Sequence, residues 1–188
     1  MSLGVQIAII LAVILIIAAV LHFSTAIGMQ MAISVAVIAA IGILTHFIGE
    51  ALPRSWFHLE VFPYRECKWE QHGKFYDRFH IRAWKDHMPD KSKWVKGAFK
   101  KSLQNQADEK SLTHLLQETC VAECVHWVLL LLSPVVLLFT RGAAATVITI
   151  LYGLSNLPFV MIQRYNRPRL RSLLLRMQRG TGKECDAT

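Results

Sequence analysis

No charged side chain occurs before Glu50. As a single helix this opening stretch would measure roughly 70 Å, more than twice the roughly 30 Å hydrocarbon core of a bilayer, so it must turn back on itself. Small and polar residues gather only between His22 and Met31, at Ser24, Thr25, Gly28 and Gln30. The pattern predicts two spans, about Val5–Phe23 and Gly28–Ile48. A second pair of apolar runs comes late in the chain, about Val121–Phe139 with Pro134 as a kink and Ala143–Ile162 with Pro158 near its end. Bundle neighbours can tolerate such prolines. Thr140-Arg141-Gly142 leaves room only for a tight antiparallel turn. The first span lacks a basic leader and its apolar core is longer than that of a signal peptide, so a retained helix is expected.

Between the two hairpins the pattern changes. Pro53 stops the second span, and an aromatic stretch follows, Trp56, Phe57, Phe62, Tyr64 and Trp69, of which Trp56 and Phe57 suit an interfacial belt at the membrane surface. His58–Phe62 alternates and reads as extended. Phe75, Phe79 and Arg82, with Tyr76 and His80, recur at helical spacing and predict an amphipathic interfacial segment. Trp94–Asn105 is a basic amphipathic piece. A helix is expected to begin near Asp108 or Ser111 and run into the third span, with Leu112, Leu115, Leu116, Thr119 and Glu123 tracing its faces. After the fourth span, Asn166 can cap a helix with Leu170, Leu173, Leu174 and Met177 on one side and Arg169, Arg176 and Arg179 on the other. The expected fold is an all-α integral membrane protein of about four transmembrane helices. It divides into an N-terminal hairpin (1–49), an interfacial aromatic and basic segment (50–118), a C-terminal hairpin (119–163) and a basic amphipathic tail (164–188).

Composition agrees: 53% of residues are hydrophobic, and the formal charge is +8. That charge is placed unevenly. Residues 49–118 hold 13 Lys/Arg against 10 Asp/Glu, the tail from Arg164 holds 7 against 2, and Arg141 stands alone between the last two spans. The positive-inside rule puts the central segment, the tail and both termini in the cytoplasm of a multi-pass cell-membrane protein. Anionic lipid and phosphate-bearing substrates account for the charge better than nucleic acid, which is not expected as a partner. Cys67, Cys120, Cys124 and Cys185 form no paired framework, and Cys120 and Cys124, one helical turn apart, read as two free packing thiols. His72, His80 and His87 lack metal-ligand spacing, so no metal is expected.

The chemistry gathers around the second hairpin. Residues equally far from the turn at Arg141 lie at similar depth, which sets His126 level with Asn156 and Glu118 level with Arg164. Glu123 and His126 are three residues apart and share one helix face. Ionisable groups in a membrane helix cost about 2.5–3.5 kcal/mol each on insertion scales and normally face a bundle interior. Three readings fit: a structural clamp pairing Glu118 with Arg164 and His126 with Asn156; half of a di-iron Glu-x-x-His pattern, whose second copy is missing; or acid–base chemistry, with His126 as base oriented by Glu123 and a substrate hydroxyl as nucleophile. Arg164, Arg167 and Arg169 suit phosphate or carboxylate groups.

Three blocks in order carry a resemblance: Trp69-Glu-Gln-His-Gly-Lys-Phe-Tyr with Arg82-Ala-Trp-Lys, then Glu118-Thr-Cys-Val-Ala-Glu-Cys-Val-His-Trp, then Asn156-Leu-Pro with Gln163-Arg-Tyr-Asn-Arg-Pro-Arg-Leu. Over roughly Gly49–Leu175 the chain resembles the glycosyl-diaponeurosporenoate acyltransferases of the staphyloxanthin carotenoid pathway. The resemblance implies a bacterial membrane O-acyltransferase that esterifies a sugar hydroxyl of a glycosylated carotenoid or related glycolipid. No bound cofactor is expected, and the co-substrate is an acyl-CoA or acyl-carrier-protein thioester. On the matching positions, His126, Glu123 and Glu118 are the expected catalytic groups. Asn156, Arg164, Asn166, Arg167, Arg82, Trp84 and Lys85 are the expected substrate contacts, with Asn156 or Arg82 available to an oxyanion. A second reading is a non-catalytic subunit that binds lipid or pigment within a larger membrane complex.

Overall fold

A computed structural model describes residues 11–14, 26–88 and 108–185. Among these the chain is helical with no strand. Its helices are α1 (Ala26–Ala51), α2 (Ile81–Trp84), α3 (Glu109–Leu132), α4 (Val136–Phe139), α5 (Ala143–Ser155) and α6 (Leu157–Cys185). Short 3₁₀ segments lie at Arg54–Trp56, Lys68–Phe79, Lys85–His87 and Ser133–Val135. Among the described residues three stretches are long and apolar enough to cross a membrane: Gly28–Ala51, Glu109–Phe139 and Ala143–Arg179. Of the predicted first span only residues 11–14 are described, and they are helical. The remainder of that span, and the basic piece Trp94–Asn105, lie outside the described residues.

Two compact units emerge, one of residues 1–50 with 127–157, the other of 51–126 with 158–188. The first unit buries small and polar side chains: Ala32, Ser34 and Thr45 on α1, Ser133 at the 3₁₀ turn, Thr140, and Ala145 and Thr149 on α5. Apart from the buried Leu129 and Val136, many of its large apolar side chains point outward, with Leu131 at 74%, Leu138 at 80% and Leu151 at 63% exposure. A water-soluble core has the opposite sorting. Helices in lipid gain nothing by hiding leucine from hydrocarbon and pack instead through small residues that let backbones approach. Gly153 shows how close that approach is, since a Cβ there would lie 2.8 Å from Ser133 Oγ. Ser34 Oγ donates to Thr140 Oγ1 at 3.2 Å, and the Arg141 N–H donates to Gln30 Oε1 at 3.1 Å, so α1 is tied to the predicted tight turn.

Pro134 acts as expected: the helix tightens into the 3₁₀ segment Ser133–Val135 before α4 resumes. Two local expectations change. His58–Phe62 is a turn rather than extended, closed by Val61 N–H on His58 C=O and Tyr64 N–H on Val61 C=O. Asn166 caps nothing, because α6 runs unbroken through Asn166 and Pro168. The break comes ten residues earlier, at Asn156, whose Nδ2 donates to Tyr152 C=O and whose N–H donates to Gly153 C=O. Pro158 explains that placement, since it has no N–H to offer the Leu154 carbonyl one turn back and its ring crowds that carbonyl, so the helix is interrupted and restarts with the proline in its first turn. At Pro168 tertiary anchoring overrides propensity: Arg167 is locked by neighbours and Leu170 is fully buried.

The second unit has an ordinary apolar core. Leu112, Leu115 and Leu116 of α3 pack on Leu170, Leu173, Leu174 and Met177 of α6. The apolar side predicted for the tail helix is thus used within the protein. Tyr76 and Ile81 pack on Ile162 and Tyr165, and Phe57 packs on Cys120 and Val121.

Candidate functional site

Several of the residues that sequence reasoning singled out in the second unit, Glu123, His126, Arg82 and Lys85 among them, meet side chains of α6. Its Arg164 and Arg167 are three positions apart and point one way. Arg164 forks onto Glu70, with Nε to Oε1 at 2.6 Å and Nη2 to Oε2 at 2.8 Å, and its Nη1 donates to Glu123 Oε1 at 2.8 Å. Arg167 donates through Nη2 to Glu123 Oε2 at 2.6 Å, through Nε to Thr119 Oγ1 and through Nη1 to the Tyr64 carbonyl. Two arginines and two carboxylates therefore neutralise one another inside the unit, with Glu123 at 0% and Glu70 at 2% exposure. Bidentate, charge-assisted contacts of this kind are the geometry in which a buried ion pair is tolerated.

Glu70 is the member no sequence pattern isolated. It arrives from the 3₁₀ segment Lys68–Phe79, where it accepts the Cys67 N–H at 2.6 Å and the Tyr76 hydroxyl at 2.6 Å. Burial works to raise its pKa, but the hydrogen bonds from Arg164, Tyr76 and Cys67 outweigh burial and hold the carboxyl below its ordinary 4.5. Burial, then the bond to Glu70, pushes the Tyr76 phenol up. Burial also raises Tyr64, helped by its bond with Cys124. The depressed Glu70 contributes stability that is fully present above pH 4.5 and lost as pH falls through its folded value. The thermal midpoint of the purified protein is expected to hold steady with respect to Glu70 above that pH and fall below it. Glu70→Gln should flatten that acid limb, and an unaltered limb in this variant would contradict the assignment.

The geometry reassigns Glu118. Depth alone paired it with Arg164, whereas it accepts from Arg54 Nε at 2.6 Å. The carboxylate that reaches Arg164 from α3 is Glu123, five residues further along. His126 stacks on Phe159 with ring centroids 4.4 Å apart and planes 9° from parallel. Asn156 belongs to the first unit, buried at the α5–α6 break.

A second constellation surrounds Tyr165 of α6. Arg169 lies over its ring at 3.5 Å, Lys85 Nζ sits 5.0 Å from the ring centre, and Arg82 Nε donates to its hydroxyl at 2.8 Å. Lys85 also donates to Asn166 Oδ1 at 3.1 Å, while Asn166 Nδ2, fully buried, has no partner among the described residues. Trp84 is half-buried and donates from its indole N–H to the Phe79 carbonyl. Gly73 lets the Lys68–Phe79 segment lie this close to α6. It adopts φ +85°, and a Cβ there would meet Arg169 Nη1 at 2.8 Å and the Tyr165 carbonyl at 3.2 Å. Beside it opens a cleft of about 460 Å³ lined by Lys74, Asp77, Arg82, Arg169 and Arg176.

Comparison with known proteins bears on this part of the chain. A relative from Staphylococcus aureus (strain MRSA252) named glycosyl-4,4'-diaponeurosporenoate acyltransferase is 29% identical over 134 residues, covering 70% of this chain and 80% of its own length. The proteins of the same name from strains N315 and USA300 are 28% identical over the same coverage. No solved structure matches the chain. The family model for glycosyl-4,4'-diaponeurosporenoate acyltransferase matches residues 53–176, a stretch that takes in Glu70, Glu123, Arg164 and Arg167 together with the cations around Tyr165. With that model spanning well over half of its length, this chain belongs to the glycosyl-4,4'-diaponeurosporenoate acyltransferase family.

Proposed function

We propose that this protein is a multi-pass membrane O-acyltransferase that moves a fatty-acyl group from a thioester to a sugar hydroxyl of a glycosylated carotenoid or a related glycolipid. The observation that carries the reading is the family match over residues 53–176, which covers the ion-paired network and the cationic cleft. The inside-out sorting of the first unit fits a protein whose acceptor and product keep their hydrocarbon in the bilayer. Arginine and lysine placement favours a cytoplasmic active face.

In this mechanism His126 removes the proton from the acceptor hydroxyl as its oxygen attacks the thioester carbonyl. The C–S bond then breaks, the ester forms, and the imidazolium returns its proton to the departing thiolate. The ring is suited to this by its place on α3, one turn from Glu123 and steadied by the Phe159 stack. Glu123 acts as a positioning group: its two oxygens are engaged by Arg164 and Arg167, which fix this turn of α3 against α6.

The test is lipid mass spectrometry in a bacterial host that makes a glycosylated carotenoid but lacks an acylating enzyme. Expression of this chain should add a fatty-acyl ester to the pigment or to a host glycolipid. A lipid profile identical to that of the empty host would rule the reading out.

A further inference from the structure

The cleft beside Tyr165 has a composition that an ordinary solvated surface lacks. Four cations, Lys74, Arg82, Arg169 and Arg176, line it against one carboxylate, Asp77. Asp77 is spent on Arg82, at 3.1 Å. Neither Lys74 nor Arg176 pairs with a carboxylate among the described residues. Like charges gathered in a concavity repel one another and focus potential onto whatever anion enters.

Two of these cations are also held in place before any ligand arrives. Arg169 lies over the Tyr165 ring and donates to the Tyr165 carbonyl one turn back. Arg82 is fixed from two sides, by the carboxylate of Asp77 and the hydroxyl of Tyr165. Planar guanidinium groups so oriented match phosphate oxygens in pairs. Loose attraction to an anionic bilayer needs no such ordering, since mobile lysines on a helix serve it equally well. The volume of about 460 Å³ falls in the range of small-molecule sites and exceeds what one phosphate fills. Leu173 adds an apolar strip to the wall.

We infer that this cleft, between the 72–82 segment and α6, is the site that grips the phosphorylated handle of the acyl donor, a thiol carrier bearing a diphosphate-linked nucleotide. The thioester part of this assignment rests on the acyltransferase reading; phosphate recognition rests on the cleft alone. It also separates two duties that depth and charge had merged. Arg164 and Arg167 hold the unit together, and Arg82, Arg169, Arg176 and Lys74 meet the donor.

Coenzyme A, pantetheine, which carries no phosphate, and phosphatidylglycerol are the probes, each titrated against the full-length protein in an uncharged detergent. Coenzyme A is expected to raise the thermal midpoint saturably, and pantetheine is not. Lys74→Ala and Arg176→Ala, both changes of exposed side chains, should each weaken coenzyme A binding about tenfold or more, the loss of one charge-assisted contact. Lys110→Glu, an exposed change on α3 outside the cleft, should leave it unaltered. Equal stabilisation by pantetheine, or full affinity in both cleft variants, overturns the proposal. Displacement of coenzyme A by equimolar phosphatidylglycerol would make the cleft a lipid-headgroup site and overturn the donor assignment. Coenzyme A binding without any acyl transfer would remove the acyltransferase reading and leave the phosphate site standing. Transfer with an unchanged donor KM in the cleft variants would do the reverse.

Discussion

Replacing Arg164 with methionine is expected to destabilise the second unit by about 3–5 kcal/mol, the range for removing one partner of a buried ion pair. The reason is what remains behind. Glu70 loses both prongs of its fork, and Glu123 loses one of its two arginines. Two carboxylates that share two guanidinium groups would then share one, at exposures of 0% and 2% where water cannot take over. Methionine fills similar volume, so the loss reports charge rather than a cavity. Arg164→Lys should recover only part of it, because an ammonium cannot serve Glu70 through two parallel bonds while also reaching Glu123. The coupling to Glu70 gives a sharper criterion. Glu70→Gln combined with Arg164→Met should cost clearly less than the sum of the two single changes, as expected for partners in one network. Thermal unfolding of the four proteins in detergent measures it, and strict additivity would mean that the pair contributes nothing specific.

That network also marks where the sequence stops being readable. Helix positions came from features local in the chain: the chargeless opening, Pro53 after α1, the Thr140-Arg141-Gly142 turn, and the onset of α3 at Glu109 beside the expected Asp108. Each is decided by neighbours within a turn or two. The choice of Glu123 over Glu118 as the partner of Arg164 is not. Counting from the turn assumes that two helices run at equal rise and without interruption, and the 3₁₀ segment at Ser133–Val135 and the break at Asn156 both disturb that count. Since 3₁₀ geometry rises about 2.0 Å per residue against 1.5 Å, depth by residue number drifts past each such segment. Glu70 was out of reach for a different reason. It stands 94 residues from Arg164 in a stretch whose left-handed turn at Gln71, His72 and Gly73 leaves no periodic signature. The reading of Asn166 as the cap of a separate helix failed because the buried anchors that carry α6 through Pro168, Arg167 and Leu170, are tertiary.

His126→Ala is expected to lower the rate of acyl transfer by about 10²–10⁴-fold, the usual worth of a positioned general base, while leaving the protein folded. Folding should survive because the ring's stack on Phe159 is an interaction worth about 0.5–1.5 kcal/mol beyond its buried area. His126→Phe separates the two contributions: it restores a flat ring for Phe159 and supplies no nitrogen to carry a proton. A base predicts that the phenylalanine variant melts like the native protein and is as inactive as the alanine variant. A purely packing role predicts that phenylalanine restores both stability and turnover. Glu123 cannot supply so clean a comparison, since any change there also breaks contacts to Arg164 and Arg167 and mixes stability with chemistry. The base assignment therefore turns on His126, measured as turnover per folded molecule with the thermal midpoint recorded beside it. Activity retained in the phenylalanine variant would move the proton transfer elsewhere and leave α3 a structural helix.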